Sequence, residues 1–124
     1  MPPFPHARMF KVNAMGSADR SAMIQNAANR NQAAIRAMAA GDLIAAEAML
    51  LQAVAIARNF LPAWLNLAAV RRQRNDIDGA FEAIRQALIL DGRNFGALMM
   101  SATMLEREGR DVPAALAYGA ALHN

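Results

Sequence analysis

The residues able to perform chemistry are few and poorly spaced for it. Two histidines, His6 and His123, stand at opposite ends of the 124-residue chain, and neither has an Asp, Glu or second His at a metal-ligand spacing. There is no cysteine, which removes disulfides, thiolate metal sites and cysteine nucleophiles together. Ser101 has no base near it in sequence, and no glycine-rich phosphate loop occurs. Asp76 and Asp78 flank a turn, where a helix-capping carboxylate accounts for them without catalysis. The sequence therefore predicts no catalytic residues within this chain, no metal site and no cofactor.

Charge and hydropathy narrow the partners. The net charge of +3 comes almost wholly from arginine, Lys11 being the only lysine. A base-composition bias explains this as simply as a surface for acidic partners does. No basic stripe interleaved with exposed aromatics is visible, so no nucleic-acid partner is expected. Glu47, Gln52 and Arg58 interrupt the longest apolar stretch before it reaches the ~18 residues a bilayer span needs, so no membrane partner is expected either. The N-terminus, MPPFPHARMFKVNAMG, has no continuous apolar segment of a secretory leader, and its prolines oppose the amphipathic helix of a transit peptide. The expected location is the cytoplasm.

Any binding side chains must be positioned by a repeat. Ala46, Ala80 and Ala114 are spaced 34 residues apart, and so are Ala53, Ala87 and Ala121. The same step relates Ala34, Ala68 and Ala102, and the turn residues Gly41, Asn75 and Gly109. Alanine is common here, so one column would mean little, but four in one register indicate a stacked helix-turn-helix repeat. Pro2, Pro3 and Pro5 make residues 1–16 an extended, flexible arm closed by Gly16. Ser17 can cap a first helix, longer than the others, that runs to Gly41. Asp42 opens a second helix to about Arg58, with Leu43, Ala46, Leu50, Ala53 and Val54 on its buried face. Pro62 starts the third helix, Asn75–Asp76 turn into the fourth, the fifth spans about Asn94 to Glu108, and Asp111 caps a sixth.

Within this register the chain resembles the tetratricopeptide repeat family. The stretch 61–94 carries the resemblance best, with Trp64, Leu67, Ala80 and Ala87 at the family's pattern positions. Ala68 stands where Gly is usual, Ile84 for Phe and Gly92 for Pro, whereas Arg71 falls where the family packs a Tyr. The resemblance implies an all-α, right-handed superhelical stack of about three repeats (27–60, 61–94 and 95–124) within a domain spanning 17–124. It also implies a concave groove lined by the first helix of each repeat, which binds a peptide or a partner helix. Carried over position by position, the groove residues are Asn31, Gln32, Ile35 and Met38 from the first repeat. The second contributes Leu65, Asn66, Ala69, Arg72 and Gln73, and the third Met99, Thr103 and Arg107. Ile35, Leu65, Met99 and its neighbour Met100 form an apolar strip; the amides of Asn31, Gln32 and Asn66 accompany it, and Arg72 and Arg107 make one rim positive. Asn66 matches the asparagine with which the family holds a peptide backbone. Met99 and Met100 are adjacent on a helix, so one of the two belongs to the core. Helix-terminal arginines such as Arg71, Arg72 and Arg74 are also favoured by the helix dipole alone. Where chaperone-binding members clamp a C-terminal carboxylate with basic groups, this chain has Asn31, Gly96 and Met100, so the resemblance does not extend to that clamp.

A second reading makes the chain the N-terminal repeat region of a larger enzyme. The segment LMMSATMLEREGRDVPAALAYGAAL looks like repeat regions that precede bacterial aspartyl/asparaginyl β-hydroxylase-type dioxygenase domains. The ligands for iron and 2-oxoglutarate would then lie outside this sequence.

The sixth helix carries Leu116, Tyr118 and Leu122 with several alanines on more than one face, and no polar capping helix follows in the sequence. An apolar strip left in this way calls for a second copy of the chain or a following domain to cover it. Leu116→Glu and Leu122→Glu are expected to shift a dimer to monomer in light scattering. A wild-type chain that stays monomeric at high concentration, with no downstream domain in its gene, removes the basis for this expectation.

Overall fold

The computed structural model describes residues 17–107, all of whose regular structure is helical. Five helices follow one another: α1 (Ser17–Ala39), α2 (Leu43–Ile56), α3 (Leu61–Gln73), α4 (Ile77–Leu90) and α5 (Phe95–Arg107). The arm at 1–16, the expected sixth helix and its interface residues Leu116, Tyr118 and Leu122 lie outside the described residues. Helix α1 has 23 residues against 13 or 14 in the others, as its sequence predicts, although Ser17 is already its first helical residue. Its first turns from Asp19 to Asn26 are exposed, and burial begins at Ala27.

The same 34-residue step reappears in the turn geometry. Gly41 and Asn75 adopt left-handed φ values of 82° and 65°. Such a residue closes a helix, and the backbone hydrogen bonds that accompany it are shared: Asp42 N–H donates to Ala37 O at 2.9 Å and Asp76 N–H to Arg71 O at 2.8 Å. At Gly41 an added Cβ would meet nothing within 4 Å, so it is the backbone angle that favours glycine there. Each aspartate then caps the next helix. Asp42 Oδ1 accepts from Ala45 N–H and Asp76 Oδ1 from Gly79 N–H, both at 3.1 Å. Asn94 performs the same task for α5, its Oδ1 accepting from Ala97 N–H at 2.9 Å. α1 with α2 and α3 with α4 are thus two helical hairpins with matching turns, and α2 packs on α3 as α4 packs on α5.

Small side chains fill the contacts. Ala34, Ala46, Ala53, Ala68, Ala80 and Ala87 are fully buried and Ala102 nearly so, which places three of the four repeat columns in the core wherever they are described. An alanine at a helix crossing lets the backbones approach, and Leu50, Leu67, Val70, Ile84 and Met104 fill the space between crossings. Trp64 lies half-buried beside this core, and its indole N–H donates to Arg58 O at 2.8 Å across the turn before α3.

Arg71 packs through polar contacts to the helices on either side of it. Its Nε donates to Glu47 Oε2 of α2 at 3.0 Å, and its Nη1 to Gly79 O of α4 at 3.1 Å. Arg74 reaches the other oxygen of the same carboxylate. Arg71 and Glu47 are only 15% and 14% exposed, so this pair is shielded from solvent and fastens α3 to both of its neighbours.

Two stability outcomes follow. Ala80→Leu overpacks a fully buried site and lowers stability by ~1–3 kcal/mol in chemical denaturation. Ala55→Leu, exposed on α2, leaves it within about 0.5 kcal/mol. Glu47→Ala strands the shielded Arg71 guanidinium and costs about 1–3 kcal/mol. Arg74→Ala, whose side chain is 38% exposed, costs under about 1 kcal/mol. Equal effects of the last two would refute the fastening role of Arg71.

Candidate functional site

The residues expected to line a groove come from alternate helices, α1, α3 and α5. The structure joins these helices at two places. Between α1 and α3, Asn66 Nδ2 donates to Asn31 Oδ1 at 2.9 Å. Asn31 is only 6% exposed and Asn66 is half-buried, so the bond ties the Asn66 amide to α1 and fixes its orientation while using only part of its hydrogen-bonding capacity. Between α3 and α5, Arg72 and Arg107 share the lining of a cavity of about 240 Å³ with Asn75, Ile77 and Met104.

The apolar residues of the face divide by depth. Ile35 is 39% and Met99 42% exposed, large apolar side chains on α1 and α5. Leu65 and Met38 are half-buried and lean on the core, and Met100 does so too, leaving Met99 as the outward member of the methionine pair. Ala69 and Arg72 are half-buried; Gln32, Gln73, Thr103 and Arg107 are exposed. The expected groove residues thus combine exposed and half-buried apolar side chains, one hydrogen-bonded amide and two guanidinium groups that share a cavity. Such a combination binds through shape and hydrogen bonding, with apolar burial supplying attraction and the amide supplying register. Among the described residues no group of three or more His, Asp or Glu is placed to hold a metal ion. Nor is any described helix long and apolar enough to cross a membrane.

Two other depressions hold none of the expected groove residues. The larger, about 710 Å³, runs along α4 and the turn after it, past Phe81, Leu88, Arg85, Asp91, Arg93 and Ser101. Its carboxylate is committed to the turn, since Asp91 accepts from Arg93 N–H at 3.2 Å and from Asn94 Nδ2 at 3.5 Å. The other, about 370 Å³, lies between α1 and α2 and includes Arg30, whose buried Nε has no hydrogen-bond partner. Arg30 stands 34 residues before Trp64, and no motif in the sequence singles it out. Neither depression combines an apolar strip with an oriented amide.

No protein-family model matches the chain, and comparison with curated proteins likewise finds no match.

Proposed function

We propose that this chain is a protein-interaction module of the tetratricopeptide-repeat type, a right-handed stack of about three repeats. It binds an extended peptide or a partner helix along the face formed by α1, α3 and α5. The observation that carries the reading is the Asn66–Asn31 hydrogen bond. A buried asparagine that orients a second, half-buried amide leaves that amide with capacity for a hydrogen bond to something else, on the same helix as Leu65. The recurrence of caps and left-handed turns at a 34-residue step supports the repeat reading.

The energetics set the affinity. Burial of Ile35, Leu65, Met99 and Met100 gives ~1.5–3 kcal/mol each at full desolvation. Loss of rigid-body freedom and side-chain ordering cost ~4–15 kcal/mol. At most about 8 kcal/mol then remains, so apolar burial reaches micromolar binding only at its most favourable, and polar contacts decide which peptides are accepted. Methionine adapts its shape to varied apolar partners, which fits a surface of this kind.

The test is selection of binders from a random peptide library displayed on phage, followed by fluorescence anisotropy with the selected peptides. Ile35→Asp, at an exposed position, is expected to keep the fold and weaken binding about tenfold or more. Leu65→Asp weakens it further but also touches the core, so it is scored on its folded fraction. Asn66→Ala loses discrimination among peptides more than it loses affinity. Wild-type binding by a folded Ile35→Asp variant, together with an Asn66→Ala variant that is equally selective, would overturn the assignment.

A further inference from the structure

Four arginines crowd the ends of α3 and α5: Arg71, Arg72 and Arg74 around the end of α3, and Arg107 at the end of α5. The helix dipole favours cations at all four positions and does not distinguish them. Their partners do. Arg71 and Arg74 both bind Glu47, whereas the side chains of Arg72 and Arg107 make no ion pair or hydrogen bond among the described residues. These two line the same cavity of about 240 Å³, and no carboxylate is among its described lining residues. Two guanidinium groups around one cavity repel each other unless an anion lies between them.

The geometry points to a carboxylate-binding socket: Arg72 and Arg107 receive an acidic side chain of the peptide that occupies the neighbouring strip. The volume suits that occupant, being roughly eight times the ~30 Å³ share of a liquid water molecule. It accepts a carboxyl group with a short stem and some of its hydration. Ile77 and the buried Met104 make part of the wall apolar, which lowers the local dielectric and strengthens a charge-assisted bond. Asn75 adds a neutral amide at the same wall. Arg72 belongs to α3, two turns beyond Leu65 and Asn66, so the acid sits at a fixed distance from the apolar anchors and sets the direction in which a peptide lies. This inference rests on the proposed groove for its biological meaning, but the socket can be tested apart from it.

The probe is tetraglutamate blocked at both ends, with blocked tetraglutamine as its neutral counterpart, titrated into the protein labelled for side-chain guanidinium NMR. Tetraglutamate is expected to shift the Nε–H signals of Arg72 and Arg107 saturably, and tetraglutamine to leave them in place. Arg72→Gln and Arg107→Gln should each weaken tetraglutamate about tenfold, as loss of one partner in a charged pair does. Arg85→Gln, in the larger cavity along α4, should leave it unchanged. Ile35→Asp should also leave tetraglutamate binding intact while weakening apolar peptides, which separates failure of the groove from failure of the socket. Absence of saturable shifts, or an equal loss in Arg85→Gln, would overturn the socket. Inorganic phosphate binding more tightly than tetraglutamate at the same two arginines would overturn its assignment to a carboxylate.

Discussion

Close approach between helices governs this structure. Among the described residues, twelve of the twenty buried hydrophobics are alanine, so the core is made by bringing backbones together more than by interlocking large side chains. A methyl group at a crossing contributes little apolar area itself. Its value lies in what it permits, because neighbouring Leu, Ile, Val and Met side chains then reach across to fill the gaps at solid-like density. The turns serve the same constraint. A left-handed residue at Gly41 or Asn75, followed by a capping aspartate, reverses the chain within three residues and delivers the next helix at the spacing alanine requires. The face proposed to bind inherits this rigidity, since alternate helices present their outer residues at intervals set by the alanine contacts beneath them.

The polar interactions add selectivity to that frame. Arg71 is fastened to α2 through Glu47 and to α4 through the Gly79 carbonyl, which uses the charge at the end of α3 for packing. Arg72, the next residue in the chain, faces another direction and has no such partner among the described residues. A rotation of about 100° between successive helical residues thus separates a cation used in packing from one that is not. Asn31 and Asn66 are divided by depth, one amide buried and the other half-buried on top of it.

The five described helices, their order, the capping aspartates of α2 and α4 and the long α1 were legible in the sequence because each depends on local signals: prolines, aspartates, glycine and a repeated alanine column. The buried residues expected on α2 are where they were expected, with Leu43 nearer the surface than the rest. What escaped sequence reasoning are interactions that the repeat does not repeat. Glu47 and Arg71 lie 24 residues apart, and the equivalent positions one step away are Phe81 and Ala37, so no column announces the pair. For the same reason the positive rim could be read from Arg72 and Arg107, but not the cavity between them, whose shape depends on how α5 settles against the α3–α4 turn. The groove residues were placed by resemblance. The burial of Asn31, which turns it from a surface contact into a support, needed coordinates.

The substantial contacts all join helices that are adjacent or next but one along the chain: α1 with α2 and α3, α2 with α3, α3 with α4, and α4 with α5. No described helix must wait for a distant segment before it can bury its apolar side. Ordering such a chain closes only short loops, so the entropy lost before each contact forms is small, and folding can begin at any hairpin and spread outward. Stability along such a stack is uneven, because segments with few buried contacts open at lower free energy than well-packed hairpins. The first turns of α1, from Asp19 to Asn26, are exposed and meet that condition, whereas Ala27 onward is packed. Hydrogen exchange along this one helix would therefore fall from fast to slow where the chain first meets its core.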